Sequence, residues 1–242
     1  DKDTLVIFDV DRVLVVHEDP LFRDENRARS FRLYKRLVDG DGRIMAKAFT
    51  MLVLEAKSTL IDPAVVGLIE ELTARGTPVI GLTHTMTGEI EPGKMIQKIR
   101  HDNLASLGVR FESGAPFSED IVFESIEGKT PVFDKGILFT GQAVQKGDLL
   151  VSFFDKIRWR PKRIIFFDDN GDNLCDVYHA VRELDAEIQL DLFLFKGADQ
   201  LDNEVKFETA RQQVVNYRDS GEWLSEEALA MKRDPELDEA GD

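Results

Sequence analysis

A single cysteine, Cys175, excludes an intramolecular disulfide framework and any multi-cysteine metal cluster. With no partner thiol it reads as a small buried residue of a helix. Positive charge is also scarce, since 31 Lys and Arg stand against 46 Asp and Glu, a formal net charge of -15. That balance argues against a nucleic-acid surface, which needs clustered bases. It also means that any phosphate site in this chain requires local positive charge. No apolar run approaches the roughly 20 residues needed to cross a bilayer, so no membrane span is expected. The chain starts at Asp1 rather than Met, which admits an N-terminal segment removed ahead of it. Neither compartment, cytoplasmic or exported, nor oligomeric state is decided by these counts. What is present is ample for folding: 242 residues, 43% hydrophobic, suit a soluble core domain plus an insertion.

The acids are not spread evenly. Two apolar runs of strand length, far apart in the chain, each stop at paired carboxylates: Leu5-Val6-Ile7-Phe8 before Asp9 and Asp11, and Ile164-Ile165-Phe166-Phe167 before Asp168 and Asp169. In an open parallel sheet, ligands lie beyond the carboxyl ends of the strands, so two such ends side by side make one acidic pocket. Repulsion there is costly unless a cation sits among the carboxylates. The pattern points to a divalent metal, Mg²⁺, and to an oxygen-rich small substrate such as a phosphate ester.

Strand-like runs alternate with helix-period segments. Leu5 to Asp9, Pro78 to Leu82, Lys162 to Asp168 and Gln189 to Phe195 are the clearest strands. The alternation predicts an α/β fold with a doubly wound, Rossmann-like parallel sheet covered on both faces. Asp62 as N-cap and Pro63 at the first helical position open one helix, which Gly76 closes. Asp172 to Leu184 and Asp202 to Tyr217 read as later helices. Two stretches interrupt the alternation. Residues 15–60 begin with the polar Val16-His17-Glu18-Asp19-Pro20 and continue through helical segments around Arg27 to Leu37 and Ile44 to Ala56, a flap and a small, mostly helical cap inserted after the first strand. Residues 109–140 form a β-rich excursion, with short antiparallel strands expected beside the core. The core then comprises 1–14 and 61–220, and 221–242 holds a C-terminal helix and an acidic tail. From Lys232 to Asp242 the tail lacks apolar periodicity and is expected to be disordered.

Phe8-Asp9-Val10-Asp11-Arg12-Val13-Leu14 resembles the first signature of the haloacid dehalogenase-like (HAD) hydrolases, a strand ending in Asp-x-Asp. Alone, such a pair also fits a metal-binding element of a nucleotide-sugar glycosyltransferase or two solvated acids. Three further segments follow in the family's order. Pro78-Val79-Ile80-Gly81-Leu82-Thr83 is a strand ending in a hydroxyl residue, Lys146-Gly147 opens a predicted helix, and Asp168-Asp169 with Asn173 resembles the acidic pair of the fourth signature. A glycosyltransferase reading leaves Lys146 and Asp168-Asp169 without a role. The Thr83-His84-Thr85 turn, Gly136 to Thr140, and the Arg160-Pro161-Lys162 lead into Asp168 also resemble a little-characterised bacterial branch of the superfamily with a small helical cap.

The resemblance implies roles. Asp9 would be the nucleophile that forms an aspartyl phosphate, splitting a hard hydrolysis into two displacements. Asp11 would protonate the leaving oxygen and then activate water. Mg²⁺ would be held by Asp9, Asp168 and the Asp11 backbone carbonyl, with Asp169 holding a water of its shell or binding directly. Thr83 and Lys146 would clamp phosphoryl oxygens, and Asn173 would support the acids. An acid at position 11 favours phosphatase chemistry on a small phosphomonoester, because a dehalogenase has no alkoxide to protonate and P-type ATPases carry Thr there. A fold that keeps the site but acts as a binding or effector module is the alternative. Two positions depart from the family pattern. Arg12 stands where Gly or another small or polar residue is common and is a candidate to contact substrate, pair with the acidic flap or face solvent. His84 follows Thr83 where a small or amide residue is common, as a site-lining donor or a plain turn residue.

Overall fold

The computed structural model describes residues 1–38 and 42–232. They fall into two compact units, Asp1–Val16 with Ser58–Leu201, and His17–Lys57 with the chain from Asp202 onward. The strands in chain order are β1 (Thr4–Phe8), β2 (Val15–His17), β3 (Ser58–Leu60), β4 (Val79–Thr83), β5 (Glu89–Glu91), β6 (Lys94–Met95), β7 (Ile121–Val122), β8 (Val132–Asp134), β9 (Ile137–Phe139), β10 (Arg163–Asp168) and β11 (Gln189–Leu194). The helices are α1 (Asp24–Leu37), α2 (Gly42–Glu55), α3 (Ala64–Ala74), α4 (Ile96–Ser106), α5 (Lys146–Ile157), α6 (Gly171–Leu184), α7 (Phe207–Ser220) and α8 (Glu226–Lys232). No described helix is long and apolar enough to cross a membrane.

The first unit is an α/β fold of Rossmann-like character around a seven-stranded, mostly parallel sheet in the order β11-β10-β1-β4-β9-β8-β7. β11, β10, β1, β4 and β9 are parallel, and β8 and β7 add on antiparallel. Strand alternation gives each face its own core. Leu5 and Ile7 pack with Ile164, Phe166 and the α5–α6 residues Leu150, Phe154 and Val177. Val6 and Phe8 pack on the opposite side with Ile69 of α3 and Leu104 of α4. From β1 the chain builds out through β4 and β9, then returns to the other flank of β1 for β10 and β11. The order therefore switches between β1 and β10, the crevice where such folds bind ligands. Register sets Phe8 beside Phe167, so Asp9 and Asp168 leave the sheet as neighbours.

Local signals account for the element ends. Asp62 Oδ1 accepts the Ala64 amide at 2.9 Å before α3, and Gly76, at φ +70°, ends the turn after it. The residue 109–140 excursion holds the short antiparallel strands expected there. Its strands β8 and β9 pair through Phe133 and Leu138, and β9 joins β4 directly, so the excursion extends the main sheet. Cys175 departs from expectation, since it lies exposed on α6.

The second unit gathers α1, α2, α7 and α8. Its core holds Leu21, Phe22, Leu33, Tyr34, Phe49, Leu52, Ala210 and Val214. Asp19 ties the unit together by accepting from Gln213 Nε2 at 2.6 Å and Trp223 Nε1 at 3.2 Å. The inserted helices around residues 24–55 match the expected positions. The helix placed at Asp202 to Tyr217 starts later, at Phe207, and it belongs with this unit rather than with a core running to residue 220. Helical periodicity shows that a face is apolar but not which core it covers. The tail after Lys232 lies outside the described residues.

Candidate active site

Asp9 follows β1 directly, and its amide donates to Phe167 O at 2.9 Å. The chain then turns sharply, with Leu14 N and Val15 N both donating to Val10 O and with Arg12 at φ 64°. That left-handed conformation costs a residue with a Cβ about 1–2 kcal/mol and favours glycine. Arg12 offsets the strain through its guanidinium, which pairs with Asp169 Oδ2 and Asp199 Oδ1, each at 2.6 Å. Arg12 therefore pairs with acids outside the flap, not with the acidic flap itself.

Lys146 is the first residue of α5, and its buried ammonium lies 2.8 Å from Asp9 Oδ1 and 2.6 Å from Asp168 Oδ2. A close helix approach holds it there. A Cβ on Gly147 would come within 2.7 Å of both Ala180 Cβ and Asp176 O on α6, and the Gly147 amide donates to Asp176 Oδ2 at 2.6 Å. Asp168, fully buried at the end of β10, also accepts from Asn170 N at 2.9 Å and Asn173 Nδ2 at 3.0 Å. Asn170 in turn caps α6 by accepting from Asp172 N.

Burial pushes the Asp9 carboxyl up to about 7; Lys146 pulls it down, and the Asp168 carboxylate adds to the rise. Burial likewise raises Asp169, with Arg12 opposing. Asp9, Asp168 and Asp169 each offer an oxygen, all within 4.8 Å of one another. His84 joins the same network, with Nδ1 2.9 Å from Thr140 Oγ1 and Nε2 3.3 Å from Asn173 Oδ1. Burial first, and Lys146 second, hold its imidazole below the usual histidine range. Thr83 ends β4 fully buried, and its hydroxyl bonds Thr85 Oγ1 at 2.9 Å.

Asp11 stands apart. Its carboxylate lies outside the three-acid group, so any part for Asp11 in a metal shell falls to its backbone carbonyl. Instead it pairs with Nη2 of Arg100, a buried residue of α4 that the sequence reading passed over. Burial brings the Arg100 guanidinium down to about 10, with Asp9 opposing, so it stays charged at neutral pH. Its Nε is buried with no hydrogen-bond partner. A signal for it existed: Ile96, Arg100 and Leu104 share the i, i+4, i+8 row that α4 buries, and a charge on such a row needs a reason.

The family model described as protein of unknown function (DUF2608) matches residues 1–230. Uncharacterized protein RP296 of Rickettsia prowazekii (strain Madrid E) is 24% identical over 233 residues, which cover 95% of this chain and 83% of that protein. Among solved structures, the haloacid dehalogenase-like family hydrolase SP0104 of Streptococcus pneumoniae matches over 74% of this chain and 81% of that chain, with 15% identity and a TM-score of 0.44.

Proposed function

We propose a function for a chain that belongs to the DUF2608 family of proteins of unknown function: Mg²⁺-dependent hydrolysis of a small phosphomonoester through an aspartyl phosphate on Asp9. One observation carries this reading, the buried ammonium of Lys146 shared between Asp9 and Asp168 with an Asp169 oxygen in the same group. A buried acid beside a fixed cation, at the switch point of a parallel sheet, is a site for an anion that must be attacked by an anion.

The donor set fits the metal. Three carboxylates are hard oxygen ligands of the kind Mg²⁺ takes, and Asp9, Asp168 and Asp169 would hold it, with the Asp11 carbonyl as a further donor. Bound there, Mg²⁺ offsets the repulsion between carboxylate and phosphoryl group.

The chain's own residues supply the rest. An Asp9 oxygen forms a bond to phosphorus as the bond from phosphorus to the ester oxygen breaks, and Asp11 gives its proton to that leaving oxygen. Water then attacks the aspartyl phosphate, Asp11 takes its proton, and inorganic phosphate leaves with the Asp9 carboxylate restored. Lys146 and the Thr83 hydroxyl stabilise charge on the phosphoryl oxygens. Asn173 holds Asp168 and orients His84.

The test is hydrolysis of 4-nitrophenyl phosphate with Mg²⁺ by the wild-type chain and by Asp9→Asn. Turnover is expected in the first and a loss of at least about 1000-fold in the second; comparable rates refute the nucleophile. The Asp11–Arg100 pair favours one competing reading, a binding module whose acid/base group is locked away. Mg²⁺ binding without hydrolysis of any phosphate ester supports that module.

A further inference from the structure

The Asp11–Arg100 contact uses only part of what Arg100 offers. Nη2 meets Asp11 Oδ1, while Nε, on the same side edge of the guanidinium, is buried with no acceptor. That edge presents two parallel N–H groups, the fork that grips a carboxylate or phosphoryl anion with both donors. A buried charged donor left unsatisfied is costly, and its retention calls for an explanation.

The other cations described at the site are more fully engaged. Lys146 serves Asp9 and Asp168, both buried, and Arg12 serves Asp169 and Asp199. Asp11 is the most exposed of the three acids paired at the centre, with 40% of its side chain accessible against 8% for Asp9 and none for Asp168. Releasing it to water therefore costs least. Resting on the phosphoryl-transfer reading, we propose that Arg100 is an anion-binding residue: a substrate oxyanion takes the Nε and Nη2 edge and displaces Asp11. The freed carboxylate, open to water, takes up a proton from solvent and passes it to the leaving oxygen. Substrate binding and release of the acid/base group become one event, and the Asp11–Arg100 pair competes with the ligand.

Calorimetric titration of the full chain with inorganic phosphate, in the presence of Mg²⁺, tests this competition. Asp11→Asn removes the competing charge while keeping Arg100, so phosphate should bind about 5- to 10-fold tighter, even as turnover of 4-nitrophenyl phosphate falls. Arg100→Met should weaken phosphate binding about 10- to 100-fold and cancel the Asp11→Asn gain in the double variant. Arg100→Lys restores the charge without the fork and should recover only part of the loss. Unchanged or weaker phosphate binding by Asp11→Asn overturns the proposal, and that variant does not depend on Arg100→Met folding. A gain that persists without Arg100 also overturns it. A wild-type chain that neither binds phosphate nor hydrolyses the aryl ester overturns the phosphatase reading as well. Normal wild-type binding with no response to Asp11→Asn overturns the Arg100 assignment alone.

Discussion

Lys146→Met is the perturbation that most directly probes how the acidic centre is held. Methionine keeps the length of the side chain and removes its charge. The ammonium is 1% exposed, and its partners Asp9 and Asp168 are 8% and 0% exposed at the side chain. Removing one partner of a buried ion pair costs about 3–5 kcal/mol, because a charge is left without compensation. Asp168 keeps the Asn170 and Asn173 donors and Asp9 keeps the Val10 amide, so the loss should fall near the lower bound, about 3 kcal/mol. In urea this corresponds to a midpoint shift of about 1–3 M, measured in metal-free buffer at pH 8. The pH dependence gives a second reading. The Asp9 carboxyl, raised by burial to about 7, is held down by Lys146, so it rises further without the lysine. A carboxyl raised in the folded state stabilises fully below its unfolded value and loses that contribution as pH climbs through the folded value. The wild-type loss levels off near pH 7, whereas that of the variant continues, so the deficit widens above pH 7. Mg²⁺ should narrow it by supplying a cation to the same carboxylates. Equal stability of variant and wild type at pH 8 without metal would refute the reasoning.

Asp9→Asn cannot titrate, so its stability should stay flat where the metal-free wild type declines between about pH 4 and 7, and thermal unfolding at pH 5 and 8 should show the variant gaining on the wild type as pH rises. Gly147→Ala drives a Cβ to 2.7 Å from Ala180 and the Asp176 carbonyl, neither of them a flexible chain end, so the start of α5 must shift. About 1–3 kcal/mol of stability should be lost, and kcat should drop about 100-fold as Lys146 is displaced; an unchanged kcat speaks against the packing argument. Arg12→Gly and Arg12→Ala both remove the pairs with Asp169 and Asp199, yet only alanine keeps a Cβ at φ 64°. Denaturant unfolding should find the alanine variant less stable than the glycine variant by about 1 kcal/mol.

Residues whose identity and local pattern act together were legible in the sequence. Apolar runs ending in acids marked β1 and β10, because a strand buried on both faces must be apolar throughout and its functional group must come at its end. Lys146 was legible as the opening of a helix, and Asp62 as a cap. What escaped needed knowledge of which surfaces meet. Whether α7 covers the sheet or the inserted helices depends on Ala210 and Val214 finding Leu33 and Phe49, and nothing local to residues 207–220 says so. Arg100 escaped for a different reason: α4 is a short helix with a weak apolar stripe, and the buried guanidinium became meaningful only when Asp11, 89 residues away, was seen against it.

The four acids of the opening motifs differ in their partners and in their exposure to water, and the inequality matches the work proposed for them. Asp168 accepts from Lys146, Asn170 and Asn173 and has no exposed surface, so it is a fixed part of the frame. Asp9 is held by Lys146 and the Val10 amide, which suits a nucleophile that must point one way. Asp169 is tethered through Arg12, whose backbone strain is tolerated because the same residue also reaches Asp199. Asp11 alone is held by a cation with a donor to spare and is partly open to water. A group that must gain a proton, give it up and regain it needs access to solvent and freedom to move, and rigid fixation would defeat it. Three acids turned away from water and a fourth partly open to it is thus the arrangement expected when one carboxyl moves protons and the others hold still.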